Sequence, residues 1–171
     1  MSVDPGNECK SFIPTFNMTS DDFFNLLDDG KTTLDKDYKW DIIFIDGLHL
    51  ASQCYRDIMN SLKHTTDNGI IVLHDCNPPE WQMAHSDYDS YLNFPTFWNG
   101  TCWKALYYVK TFLPYEIFTV DTDWGVGVID KSKVGTPIEF SNPFFEFGEM
   151  KNSRQESLGL ISPHEFIAKL A

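Results

Sequence analysis

Three aspartates each close an apolar stretch and open a turn: Asp4, Asp46 and Asp75. In open α/β sheets, ligands gather beyond the carboxyl ends of parallel strands. If Asp46 and Asp75 end neighbouring parallel strands, their carboxylates lie within reach of each other. His49 follows three residues after Asp46, and Asn77 two after Asp75. Carboxylate and amide oxygens suit a hard divalent cation such as Mg²⁺, so Asp46, Asp75 and Asn77 are candidate metal ligands. His49 has an ordinary pKa near neutrality, which makes it a candidate general base beside Asp75. Against this stands the ordinary use of a strand-end aspartate as a turn former or helix cap. His74 precedes Asp75, so strand alternation points it away from that site. Cys76 has no activating neighbour and is not a candidate nucleophile. Asp121-Thr122-Asp123 follows an apolar run, as a metal-binding D-x-D of a glycosyltransferase would.

The elements that must position these residues alternate strand and helix, the α/β signature. Trp40 to Asp46 is nearly all apolar, too short for a helix, and reads as a central, buried parallel strand. Ala51, Cys54, Tyr55, Ile58, Met59 and Leu62 form an amphipathic helical stripe, which Asn68-Gly69 breaks. Ile70 to His74 reads as a second buried strand. Residues 40–76 are thus a right-handed β-α-β unit. Upstream, Phe12 to Met18 is a short extended segment, and Thr19 caps a helix carrying Phe23, Phe24, Leu26 and Leu27. Downstream, the stretch from Pro78 to Gly100, with Pro95, has the length of a lid or binding loop. A helix is expected over Trp103 to Phe112, then an antiparallel hairpin from Glu116–Val120 to Gly127–Ile129. Residues 132–157 read as irregular. Ser162 and Glu165 form a capping box for a last helix, with Ile161 stapled to Phe166.

The 171 residues make one domain, 42% hydrophobic and 15% aromatic, which is the composition of a packed globular protein. A formal net charge of -12 repels phosphate backbones, and no basic patch offsets it, so nucleic acid is not an expected partner. No apolar run approaches the about 20 residues that span a bilayer, so no membrane partner is expected. The start of the chain has no signal-peptide pattern, and a cytoplasmic location is expected. Cys9, Cys54, Cys76 and Cys102 form no C-x-x-C pair, and Cys54 reads as a core residue. Asn17-Met-Thr and Asn99-Gly-Thr match the glycosylation pattern, which has no meaning without secretion.

The runs Trp40-Asp-Ile-Ile-Phe-Ile-Asp-Gly-Leu-His49 and Asn68-Gly-Ile-Ile-Val-Leu-His-Asp-Cys-Asn-Pro78 carry a resemblance to a known family. The chain resembles a class I S-adenosylmethionine-dependent methyltransferase of the small bacterial and marine group with "IDGLH" and "HDCNP" strand ends. The likeness continues through Trp98 to Ala105, Val120 to Gly127 and Leu160 to Phe166, and so covers essentially the whole chain. It implies a Rossmann-like sheet in the order 3-2-1-4-5-7-6. It implies a small polar acceptor, such as a sugar, and S-adenosylmethionine as cofactor. Asp4 would meet the cofactor ribose, Thr19, Ser20 and Asp21 would border the adenine, and Asp46 would face the methyl donor or a metal. His49 and Asp75 would face the acceptor. The family's first strand and glycine-rich turn belong ahead of Val3, so the chain reads as an N-terminally truncated member, inactive or incomplete by itself. The missing strand would leave Trp40 to Asp46 with an unpaired edge, suited to a homo-oligomer. A non-catalytic, self-associating relic of the fold is therefore the competing reading.

Overall fold

The computed structural model describes residues 1–6, 13–93 and 97–170. Cys9, Phe12 and Pro95 lie outside them. Thr19 starts the first helix: its hydroxyl accepts from the Asp22 amide at 3.1 Å, capping α1 (Ser20–Asp28). Phe23, Phe24 and Leu27 of α1 are buried against Val3, Phe16 and Trp40. Val3 and Phe16 meet in an isolated parallel bridge.

The β-α-β unit forms as the sequence indicates: β1 (Trp40–Ile45), α2 (Ala51–His64) and β2 (Thr65–Leu73), with β1 and β2 parallel. The helix passes into β2 without a loop, and Asn68-Gly69 lies inside the strand rather than before it. The pairing register shifts between Trp40 and Ile42, which absorbs the extra residues. His64 anchors the junction, 1% exposed, with its Nε2 3.0 Å from Asp28 and its ring stacked on Phe24.

The segment after β2 holds a 3₁₀ turn (Trp81–Met83) and α3 (Tyr88–Asn93) before α4 (Cys102–Lys110). β3 (Tyr115–Val120) and β4 (Val126–Val134) form the expected antiparallel hairpin, longer than the apolar residues alone mark. Two short helices follow, α5 (Phe147–Asn152) and α6 (Arg154–Leu158), where the sequence reads as irregular. β5 (Leu160–Ile161) and α7 (Pro163–Leu170) close the described chain. The Ser162–Glu165 capping box is present, with Glu165 Oε2 accepting from the Ser162 amide at 2.7 Å.

The sheet is mixed, open and five-stranded, in the order β1-β2-β4-β3-β5. Cys54 and Ile58 of α2 and Leu106 and Val109 of α4 pack on one face, over Ile71, Leu73, Ile117 and Ile129. On the other face, Phe166 of α7 and Ile161 cover Phe118, Val120 and Val128. That cover includes no β1 residue, and among the described residues β1 pairs only with β2. The expectation of a central, buried strand at Trp40 to Asp46 is therefore corrected. The strand is an edge, ending at Ile45, with Ile42 65% and Phe44 59% exposed.

Lys110 ends α4 with its side chain buried, and its amino group donates to the Glu156 carbonyl at 3.2 Å. Burial pushes its pKa down from 10.5 to about 8. The folded state therefore holds this proton less tightly than the unfolded chain. The charged amine costs stability below pH 8, and that cost fades as pH rises through 8 towards 10.5. Lys110→Met is expected to raise unfolding free energy by about 1–3 kcal/mol at neutral pH. Urea titrations of both proteins across pH check this. The gain should vanish above the unfolded lysine pKa, and a variant less stable at neutral pH would refute the argument.

Candidate active site

Parallel pairing aligns the carboxyl ends of β1 and β2, with Ile45 opposite Leu73. The His74 amide still donates to the Ile45 carbonyl at 3.0 Å, so Asp46 and Asp75 leave the sheet side by side. Asp75 has φ +60, the left-handed region that non-glycine residues rarely adopt. That turn ends strand alternation. The expectation that His74 points away from Asp75 is corrected: His74 Nδ1 lies 2.9 Å from Asp75 Oδ2 and 3.6 Å from Asp46 Oδ1. Its Nε2 lies 3.2 Å from Asp123 Oδ2, on the turn between β3 and β4.

His49 enters from the β1–α2 connection. Its Nε2 is 3.4 Å from Asp46 Oδ1 and 3.4 Å from Asp75 Oδ2. Its Nδ1 lies 3.1 Å from the Trp98 carbonyl. A carbonyl only accepts, which assigns the Nδ1 proton and turns Nε2 towards the carboxylates. The His49 ring stacks on Trp98 at 5.3 Å, and Trp98 stacks in turn on Tyr91 at 4.9 Å. Thr101 fixes the main chain beneath. Its amide donates to the His49 carbonyl at 2.7 Å, while its hydroxyl accepts from the Ala51 amide at 2.7 Å. The hydroxyl thereby supplies the cap that Leu50 cannot give α2. Asn99, 1% exposed, donates from Nδ2 to Asp75 Oδ1 at 2.6 Å.

Two imidazoles thus meet three carboxylates at one mouth, with Asp75 buried and Asp46 exposed. Burial opposes the charged form of His49. The hydrogen bond to Asp46 and the charge of Asp75 outweigh it and raise the His49 pKa above its ordinary value. His74 is raised likewise against its burial, chiefly through its hydrogen bond to Asp75. The His49 hydrogen bond holds the Asp46 carboxyl below the usual range. Burial, with Cys54 adding to it, pushes the Cys76 thiol well up, as befits a core residue rather than a nucleophile.

The other sequence candidates lie apart. Asn77 is not in the cluster: its Nδ2 donates to Asp121 at 3.0 Å and its Oδ1 accepts from Arg154. The cause is the β3–β4 turn, whose Trp124 carbonyl takes the Asn77 amide at 2.8 Å and turns the residue away. Asp4 accepts from its own turn at Gly6, at 2.5 Å. Ser20 donates to Asp57 at 2.6 Å, and Asp21 pairs with Arg56 at 3.0 Å in the α1–α2 seam. Among the described residues, no hydrogen bond or ion pair joins Asp4, Thr19, Ser20 or Asp21 to the Asp46–Asp75 cluster.

Sequence reasoning missed Asn99 and undervalued Asp123. Asn99 was visible only within a glycosylation pattern, and Asp123 only within the D-x-D. The turn that carries Asp123 is strained: Asp123 and Trp124 take φ +45 and +61, followed by Gly125 at +90. This turn borders a cavity of about 440 Å³ lined by Asn77, Asp121, Asp123, Trp124, Lys151 and Arg154, among others. Asp123 links that cavity to the cluster.

No helix of the described residues is long and apolar enough to cross a membrane. No curated protein matches the chain, and no solved structure does. Residues 7–76 match the model of a family described as a methyltransferase domain. The match runs through β1 and β2 to Asp46 and Asp75 of the cluster, and Asp123 lies beyond it. It supports a methyltransferase domain, and the open α/β sheet is consistent with a Rossmann-like methyltransferase fold.

Proposed function

We propose that this chain is the acceptor side of a class I S-adenosylmethionine-dependent methyltransferase that acts on a hydroxyl of a small polar molecule. The observation that carries this reading is His49 Nε2, 3.4 Å from carboxylates at the aligned ends of two parallel strands. On it, β1, β2, β4 and β3 correspond to strands 4, 5, 7 and 6 of the family order. The charge of the site fits the cofactor: Asp46, held ionised by His49, suits a cationic sulfonium donor.

S-adenosylmethionine supplies an electrophilic methyl carbon and, when bound, would give that methyl to the acceptor oxygen, the electron pair of the broken carbon–sulfur bond staying on sulfur. Asp75, oriented by Asn99, and Asp46 position the acceptor hydroxyl. His49 Nε2 takes the hydroxyl proton. No glycine-rich turn occurs among the described residues to cradle the methionine end, so we propose weak cofactor binding by this chain. Calorimetry should give an affinity weaker than micromolar, with label transfer from methyl-labelled S-adenosylmethionine to polyols only at high cofactor concentration. Micromolar binding would overturn that expectation. Absence of transfer at saturating cofactor to every hydroxylated acceptor tried would count against the enzyme.

The open edge of β1 favours a second property, self-association. Ile42 and Phe44 share one exposed face beside unpaired backbone groups. Sedimentation is expected to show a concentration-dependent dimer that Phe44→Lys abolishes. A monomer at all concentrations would dismiss it.

A further inference from the structure

The oxygen-ligand site for Mg²⁺ does not fit the geometry, because Asn77 is spent on Asp121 and Arg154. The third donor at Asp46 and Asp75 is an imidazole. Asp46, His74 and Asp75 each offer a ligand atom, all within 4.8 Å of one another. We infer that these three residues bind a borderline divalent transition metal, of the Mn²⁺, Fe²⁺, Co²⁺ or Zn²⁺ kind, in preference to Mg²⁺.

Metal–ligand bonds of about 2.0–2.2 Å place neighbouring donor atoms about 3 Å apart. His74 Nδ1 already stands 2.9 Å from Asp75 Oδ2 and 3.6 Å from Asp46 Oδ1. Side-chain adjustment alone would admit the ion. The outer partners are those a metal site requires. Asp123 takes the Nε2 side of His74 at 3.2 Å, which keeps a proton there, and the ion would displace the Nδ1 proton now shared with Asp75 Oδ2. Asn99 holds Asp75 Oδ1 at 2.6 Å, leaving Oδ2 for the ion. Imidazole nitrogen is the donor that discriminates. It suits first-row transition ions, whereas Mg²⁺ takes carboxylate, carbonyl and water oxygens. With three protein ligands, a position stays open beside His49. The inference uses the site's geometry and not the methyl-transfer reading, so either can fail alone.

The test is Co²⁺ titration of the chelator-stripped chain, followed by visible ligand-field absorption. One Co²⁺ per chain is expected, displaced by equimolar Zn²⁺ but not by a large excess of Mg²⁺. His74→Ala should abolish the bands. Asp123→Asn, an exposed turn position that leaves the fold intact by circular dichroism, should weaken Co²⁺ by about 10–100-fold. Asn77→Ala should leave the titration unchanged. Absence of Co²⁺ and Zn²⁺ binding would overturn the inference, as would displacement by equimolar Mg²⁺ or undiminished binding in folded His74→Ala. So would near-ultraviolet thiolate bands, which would move the ion to the buried cysteines.

Discussion

Gly100→Ala is expected to destabilise the protein by about 3 kcal/mol or more. Gly100 has φ +62, where an L side chain is strained. A methyl there would stand 2.0 Å from the His49 carbonyl oxygen and 2.5 Å from its Cβ. The first contact is with backbone, which cannot swing aside like a side-chain tip. Either the 99–101 segment or the His49 segment must move, and both are tied by the Thr101–His49 and Ala51–Thr101 hydrogen bonds. Thus the same methyl that strains the fold also displaces the His49 side chain. Gly148→Ala is the control. It lies in α5 with nothing within 4 Å of the added carbon, so it should be neutral or slightly stabilising. Denaturant unfolding of the two variants checks the contrast. A Gly100→Ala protein within about 0.5 kcal/mol of the parent would sink it.

That contact also marks where sequence reading stops. The runs Trp40 to Asp46 and Ile70 to His74 were legible as parallel strands because buried strands concentrate β-branched and aromatic residues. The α2 stripe, the hairpin and the Ser162–Glu165 box were legible because each rests on local spacing. The edge position of β1 was not. Apolar content tells that a strand can be buried, while the extent of the opposite cover depends on where α7 lands. α5 and α6, of six and five residues, are too short to show a helical period. At the site, Asp46, His49 and Asp75 could be named from strand ends. His74 could not, since its direction depends on the left-handed turn at Asp75. Asn99 reaches Asp75 across 24 positions, a pairing no local pattern encodes.

His49→Ala is expected to reduce methyl transfer by about 10²–10⁴-fold, the usual contribution of a positioned general base. On the proposed reading the loss should fall on kcat, with cofactor affinity unchanged, because that reading sets His49 at the acceptor hydroxyl rather than at the cofactor's adenosine. A structural role must be separated from this, since the ring also stacks on Trp98 and hydrogen-bonds its carbonyl. If stacking were its whole contribution, His49→Phe would preserve transfer. As the base, His49 leaves His49→Phe as inactive as the alanine variant. The alanine variant leaves a ring-sized gap between Trp98 and the two carboxylates, into which free imidazole fits. Added imidazole should therefore restore transfer in His49→Ala in proportion to its unprotonated fraction, and do nothing for the phenylalanine variant, whose gap is filled. Full transfer by His49→Phe would remove His49 from the chemistry and leave Asp75 as the base.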